Sequence, residues 1–120
     1  MLEYTSAQKA VSEIRTGDHI HLSAISSVPQ VLVRALKARA DNDKDLKGLH
    51  FHHFHTEGDA PYSSPEYAGV FFDQGFFVGP NVRANVNAGY ADYLPAHLFE
   101  TQFMYRSGAL PCDVAMVQVS

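Results

Sequence analysis

Residues 50–62 read His-Phe-His-His-Phe-His-Thr-Glu-Gly-Asp-Ala-Pro-Tyr and hold four of the chain's seven histidines. Two chemistries fit such a run. Imidazoles can gather around a metal ion, or a histidine can lead into a shaped Thr-Glu-Gly loop that touches a substrate. A zinc site needs three or four convergent ligands. On a strand, side chains alternate between faces, so His50 and His52 share one face with Phe54, while His53 and His55 share the other with Phe51. Neither pair completes a ligand set without His19, His21 or His97. The run is therefore expected to hold no metal, its imidazoles hydrogen-bonding neutrally to backbone or carboxylates. His55, nearest the carboxyl end, is best placed to meet a substrate.

Other single residues carry possible chemistry. Glu57 is either a working carboxylate or a loop acid fixed by backbone N–H groups. Arg83, just after Asn81, is either a bidentate clamp for a carboxylate or a solvated helix-surface arginine. Cys112 is the only cysteine, so no internal disulfide forms, which fits a reducing cytosol. Its setting, Pro-Cys-Asp-Val-Ala-Met-Val, opens an apolar run and predicts a buried, inert thiol.

The elements that must position these residues follow from periodicity and breakers. Thr5 to Gln8 reads as a capping box, ahead of Ala7, Ala10, Val11 and Ile14 at helical spacing and a stop at Gly17. His19, Ile20, His21 and Leu22 alternate as a strand. A small-residue loop over 23–28 leads to Pro29 at a helix N1 position, with Leu32, Ala35 and Leu36 on the apolar stripe. Residues 41–47 form a polar connection and 49–55 the second strand. A loop covers 58–65, and the aromatic stretch 70–78 reads as strand, turn and strand around Asp73-Gln74-Gly75. A helix follows with Asn81 as N-cap and Gly89 as its stop. Tyr93 and Leu94 form a short strand, 95–106 a helix closed by Gly108, and 114–119 a final apolar strand. That strand is either a sheet edge or the point where a longer chain is cut, and the cut is the expectation.

This alternation predicts one α/β domain with an open, mainly parallel sheet flanked by helices. At 120 residues and 46% hydrophobic content the chain can bury a core. The net charge of -4 with scattered basic residues predicts no nucleic-acid partner. No apolar run reaches the roughly 18 residues of a membrane span, and the first residues lack a secretory pattern. No membrane partner and a cytoplasmic location are expected.

In open α/β sheets, ligands bind beyond the carboxyl ends of the strands. The loops 23–28, 56–65 and 79–81 occupy that position and hold small residues that let a ligand approach the backbone. Two lead into helix N-termini, which favour carboxylate or phosphate.

Several segments, in order, carry a family resemblance. These are residues 6–11 with Ile14 and Thr16-Gly17-Asp18; Pro29-Gln30-Val31-Leu32 with Ala35-Leu36; His53-Phe54-His55-Thr56-Glu57-Gly58 with Ala60-Pro61-Tyr62 and Pro65-Glu66-Tyr67; Phe77-Val78-Gly79-Pro80-Asn81-Val82-Arg83; Ala91-Asp92-Tyr93 with Pro95; and Arg106 to Pro111 with Asp113-Val114-Ala115. Nearly the whole chain resembles the N-terminal domain of the acetyl-CoA hydrolase/transferase family, in its 4-hydroxybutyrate CoA-transferase branch. It departs at Tyr90, where a basic residue is usual, at Phe99-Glu100-Thr101-Gln102, and in the glycine-poor loop 23–28.

The resemblance implies a two-domain enzyme moving coenzyme A between carboxylic acids. A glutamate attacks the acyl-CoA to give an acyl-glutamyl anhydride, then a glutamyl-CoA thioester, with backbone N–H groups stabilising the oxyanions. That glutamate and most CoA contacts belong to the C-terminal domain, absent here. Glu57 matches a motif residue but not the nucleophile, and the chain alone is expected to be inactive. Ser26, Ser27, His55, Thr56, Glu57, Gly58, Gly79, Asn81 and Arg83 are expected to line one wall of the substrate cleft. Acyl-CoA and a small carboxylate are the implied partners, with the missing C-terminal domain or subunit. CoA thioester enters as substrate, with no permanently bound cofactor. The exposed partner-facing surface is expected to drive homo-oligomerisation. A non-catalytic assembly subunit of a split enzyme and a histidine-rich metal-binding protein are the alternative functions.

Overall fold

Helix starts are set by whichever residue can answer the free N–H groups of the first turn. In the computed structural model, which describes residues 3–119, Ser6 rather than Thr5 caps α1 (Ala7–Ser12): its hydroxyl accepts the Lys9 N–H at 3.1 Å. Pro29 stands one position earlier than expected, at the N-cap of α2 (Gln30–Asn42). Gly79, not Asn81, is the N-cap of α3 (Pro80–Asn87), with Pro80 in its first turn. Asn81 is thereby freed to use its carboxamide elsewhere. The helix expected over 95–106 divides into a 3-10 turn, Leu98–Glu100, and α4 (Thr101–Ser107). The helical stretch begins at Leu98 rather than 95 because His97 caps it there, with the Glu100 carboxylate accepting the His97 N–H at 2.9 Å.

The strands are β1 (His19–Leu22), β2 (Leu49–His53), β3 (Phe71–Gly75), β4 (Ala91–Tyr93) and β5 (Val114–Met116), in the order β4-β3-β2-β1-β5. All four pairings are parallel. The α/β expectation holds, and the sheet is wholly rather than mainly parallel. Boundaries shift. β2 stops at His53, not His55, because the chain bends toward β1: the His55 carbonyl accepts the Ile25 N–H at 2.7 Å. Residues 70–78 give one strand instead of two. The chain stays beside β2 there, with the Phe76 N–H on the His53 carbonyl at 2.7 Å. β4 begins two residues before the expected Tyr93. β5 ends at Met116, and Gln118 then donates its N–H to the Ser23 hydroxyl at 3.1 Å instead of to a neighbouring strand.

Register divides the sheet into two faces. Ile20 lies beside Phe51 and Val114, and Phe51 beside Asp73. This face carries the core: Ile20, Leu22, Leu49, Phe51, Phe71 and Met116 with Val11 and Ile14, Val33 and Leu36 of α2, Val82 of α3, and Tyr62 and Tyr67. Full burial of each large side chain is worth about 1.5–3 kcal/mol. The opposite face carries His19, His21, His50, His52, Phe72 and Gln74. Of the helices, α4 packs there, with Tyr105 at 2.9 Å from His21 Nδ1. Topology explains this. From β1 to β4 the chain steps one way across the sheet, then reverses to reach β5, and right-handed crossovers in opposite directions place their helices on opposite faces. Among the described residues no helix is long and apolar enough to cross a membrane.

Cys112 is exposed, contrary to expectation. It precedes β5 by two positions, before the ladder draws the chain into the sheet.

Candidate functional site

The histidine run is built into the sheet, with its rings stacked across neighbouring strands. His19 stacks on His50 at 4.4 Å between ring centres and on His52 at 5.2 Å, the planes within 8°. His50 stacks in turn on Phe72 at 5.1 Å. His19 Nδ1 and His52 Nε2 share a hydrogen bond of 2.9 Å, and His50 Nδ1 meets Gln74 Oε1 at 3.1 Å. Burial pushes the His52 imidazole down to about 4, and neighbouring imidazoles add to the fall. Burial, then His50, likewise lowers His19. Two neutral rings can share one proton in the bond between them, one donating and one accepting. Among the described residues no three His, Cys, Asp or Glu side chains are grouped to hold a metal ion.

His53 departs from the neutral pattern. It is fully buried, with Nε2 at 2.5 Å from Asp73 Oδ1 and Nδ1 at 2.6 Å from the Phe54 carbonyl. Both neighbours are acceptors, so both ring nitrogens donate and the ring is an imidazolium. Burial is the largest influence and lowers its pKa. The hydrogen bond and charge of Asp73, with the Phe54 carbonyl, outweigh it and leave the pKa raised. This ion pair ties β2 to β3 beneath the loop that follows.

That loop lies one strand away from the point where the strand order reverses. The reversal of strand order lies between β1 and β5, the place where open α/β sheets bind ligands beyond their carboxyl ends. Ser23 braces it: its N–H reaches the Met116 carbonyl at 3.1 Å and its hydroxyl donates to the Ser27 carbonyl. Ile25 is held at a φ of 54°, a left-handed conformation uncommon outside glycine. It bridges to Thr56, joining the β1 loop to the β2 loop.

Six of the expected site residues come together. Thr56 is buried, and its hydroxyl accepts from Asn81 Nδ2 at 3.4 Å, while the same Nδ2 reaches the Gly58 carbonyl at 3.2 Å. His55 Nε2 is 3.6 Å from Glu57 Oε1, and the His55 ring packs against Phe77 at 5.4 Å. A methyl group on Gly79 would lie 3.3 Å from that ring, a tight contact that would press the ring and the helix start slightly apart. His55 also edges an apolar cleft of about 280 Å³ with Phe54, Phe76, Phe77, Ala96 and Leu98. Glu57 and Gly58 are exposed at the tip.

The remaining three stand apart. Ser26 is exposed, and Ser27 is half-buried and joins the group only through the β1 loop. Arg83 is exposed and its nearest polar contact is the Val78 carbonyl at 3.5 Å, so in this state it is the surface arginine.

Sequence reasoning missed Gln30. Its Nε2 donates to the Glu57 carbonyl at 2.8 Å and reaches the Asp59 carbonyl at 3.5 Å. A polar residue immediately after a helix-starting proline was the available signal. Asp73 was read only as a turn residue, since its pairing with His53 depends on strand register.

The family profile described as the acetyl-CoA hydrolase/transferase N-terminal domain matches residues 2–120. The chain is 34% identical over 115 residues to the 4-hydroxybutyrate coenzyme A transferase of Clostridium kluyveri, covering 96% of this chain and 26% of that protein. It is 29% identical over 107 residues to the succinyl-CoA:acetate/propanoyl-CoA:succinate CoA transferase of Fasciola hepatica, covering 89% and 22%. It thus spans about a quarter of the length of the curated relatives it matches. Among solved structures, RipA from Yersinia pestis superposes with a TM-score of 0.82 at 24% identity, over 94% of this chain and 28% of that one. The 4-hydroxybutyrate CoA-transferase of Porphyromonas gingivalis superposes at 0.61 with 22% identity, over 94% and 24%. These two establish the shared fold.

Proposed function

The chain belongs to the acetyl-CoA hydrolase/transferase family, within its N-terminal domain, and from that membership we propose that it forms one wall of the cleft where an acyl-CoA and a carboxylic acid exchange coenzyme A. The observation that carries this reading is the gathering of His55, Thr56, Glu57, Gly58, Gly79 and Asn81 at the carboxyl edge of the sheet, tied by Asn81 Nδ2 to Thr56 and Gly58. Ser26 and Ser27 border the same wall from the β1 loop. Arg83 stands on its rim as a cation for an acid's carboxylate.

The work of this wall is positioning. Glu57 is an exposed loop acid beside His55, not an attacking nucleophile, and the covalent chemistry resides in a partner domain or subunit. Coenzyme A enters as a thioester substrate rather than a resident group. Exposed aromatic side chains, among them Phe72, Tyr90, Phe99 and Phe103, provide apolar area for that partner and for association into a homo-oligomer.

The test is turnover. The chain mixed with acetyl-CoA and a second carboxylic acid should release and transfer no coenzyme A. Adding, as a separate polypeptide, the remaining part of the Clostridium kluyveri relative should produce transfer. Transfer by the chain alone refutes the division of labour.

A further inference from the structure

Three successive carbonyls of the loop after β2 are claimed by side-chain amides. Gln30 Nε2, at the first position of α2, bonds the Glu57 carbonyl at 2.8 Å and lies 3.5 Å from that of Asp59. Asn81 Nδ2, in the first turn of α3, bonds the Gly58 carbonyl at 3.2 Å. All peptide bonds among the described residues are trans, and in a trans peptide the N–H points opposite to the carbonyl it shares a plane with. Drawing these carbonyls toward two helix starts therefore turns the N–H groups of Gly58, Asp59 and Ala60 the other way. None of the three has an acceptor among the described residues.

Two further observations separate this arrangement from ordinary loop packing. Gly58 sits at a φ of +81°, and a methyl group on it would lie 2.6 Å from Gln30 Nε2. The loop is shaped around the glutamine. Gln30 Oε1 and Asn81 Oδ1 are also both buried without a donor. An unsatisfied buried acceptor counts against stability, so packing alone does not explain a carboxamide at either position. What the carboxamide supplies, and a hydrocarbon would not, is the N–H₂ donor.

We propose that Gln30 and Asn81 are positioning residues that turn the backbone N–H edge of the Glu57–Gly58–Asp59 loop outward to receive an acyl oxygen. Fixed backbone donors aimed at an acyl oxygen are the usual means of stabilising charge that develops on it. The inference rests on the CoA-transferase reading and names the element of this chain that touches the reacting acyl group. The oxygen belongs to the thioester or to the free carboxylate, which present the same acceptor.

The experiment uses the full 120-residue chain, amide resonances followed by NMR, and titration with acetyl-CoA or with acetate. Gln30→Glu keeps size and shape but exchanges the donor for an acceptor. In Gln30→Glu the Gly58 and Asp59 amide resonances should move as the Glu57 carbonyl loses its donor, with the amides of Ile20 and Phe51 unchanged. In the unaltered protein acetyl-CoA should shift the Gly58 and Asp59 resonances, and Gln30→Glu should weaken that binding about tenfold. Gln30→Lys, which restores a donor, should recover most of it. A role confined to packing would not be rescued by lysine. Acetate shifting the same amides more than acetyl-CoA assigns the oxygen to the carboxylate, and the reverse assigns it to the thioester. Unmoved Gly58 and Asp59 resonances in Gln30→Glu, with acetyl-CoA shifts intact, overturn the clamp and leave the CoA reading standing. Moved Gly58 and Asp59 resonances in Gln30→Glu with no shift from either ligand overturn the acyl assignment, and the CoA reading is then decided by the turnover test.

Discussion

The His53–Asp73 pair offers the sharpest test of how this sheet is held together. Asp73→Asn keeps the shape of the side chain and removes its charge, at a site where the two side chains are 0% and 1% exposed. Removing one partner of a buried ion pair costs about 3–5 kcal/mol, because the remaining charge is left without compensation. The lower end applies, since His53 can shed its Nε2 proton and accept there from the asparagine N–H₂, keeping Nδ1–H on the Phe54 carbonyl. At about 4 °C per kcal/mol for a domain of this size, the melting temperature should fall by roughly 12 °C. The pH dependence identifies the cause. His53 has a raised pKa in the folded state, so its contribution is fully present below the unfolded value of 6.5 and is lost as pH rises through the folded value. In Asp73→Asn burial dominates, the folded pKa falls below the unfolded one, and the neutral ring is favoured. The stability gap between the two proteins should then be widest near pH 5 and narrow toward pH 9. Urea denaturation followed by circular dichroism at several pH values measures it. Equal midpoints, or a gap that widens as pH rises, would refute the imidazolium assignment.

The other predictions concern the opposite face and the exposed thiol. The lowered pKa of His52, about 4 against 6.5 unfolded, gives stability present above 6.5 and lost as pH falls toward 4. His52→Phe should make that acid loss smaller by about 1–3 kcal/mol, and an unchanged acid limb in urea melts would count against the stacked-imidazole account. Cys112, being exposed, should take one equivalent of an aromatic disulfide reagent in the folded protein, within about tenfold of its unfolded rate, where a buried thiol would react far more slowly.

The family resemblance was carried by ordered local segments, which survive in sequence because each fixes a local structure. Pro29 starts α2, and Gly79-Pro80-Asn81 shapes the entry to α3. The alternation of residues 50–53 showed which imidazoles share a face. Helix starts were less accurate. Ser6 and Thr5 are both good caps, and the choice depends on which residue is the last extended one before the helix, here Ser6 at a ψ of 154°. Cys112 was misplaced because an apolar run marks a strand without marking where burial begins.

Composition, alternation and turn residues were sufficient to determine a parallel α/β layer with its small-residue loops beyond the carboxyl ends. These are local or periodic properties, written in neighbouring residues. Four things were decided only by the tertiary structure: the charge on His53, the grip of Gln30 on the Glu57 carbonyl, the bridge from Ile25 to Thr56, and the reversal of strand order beside β1. Each joins segments far apart in the chain, and strand register and helix docking set their separation to within a hydrogen bond's length.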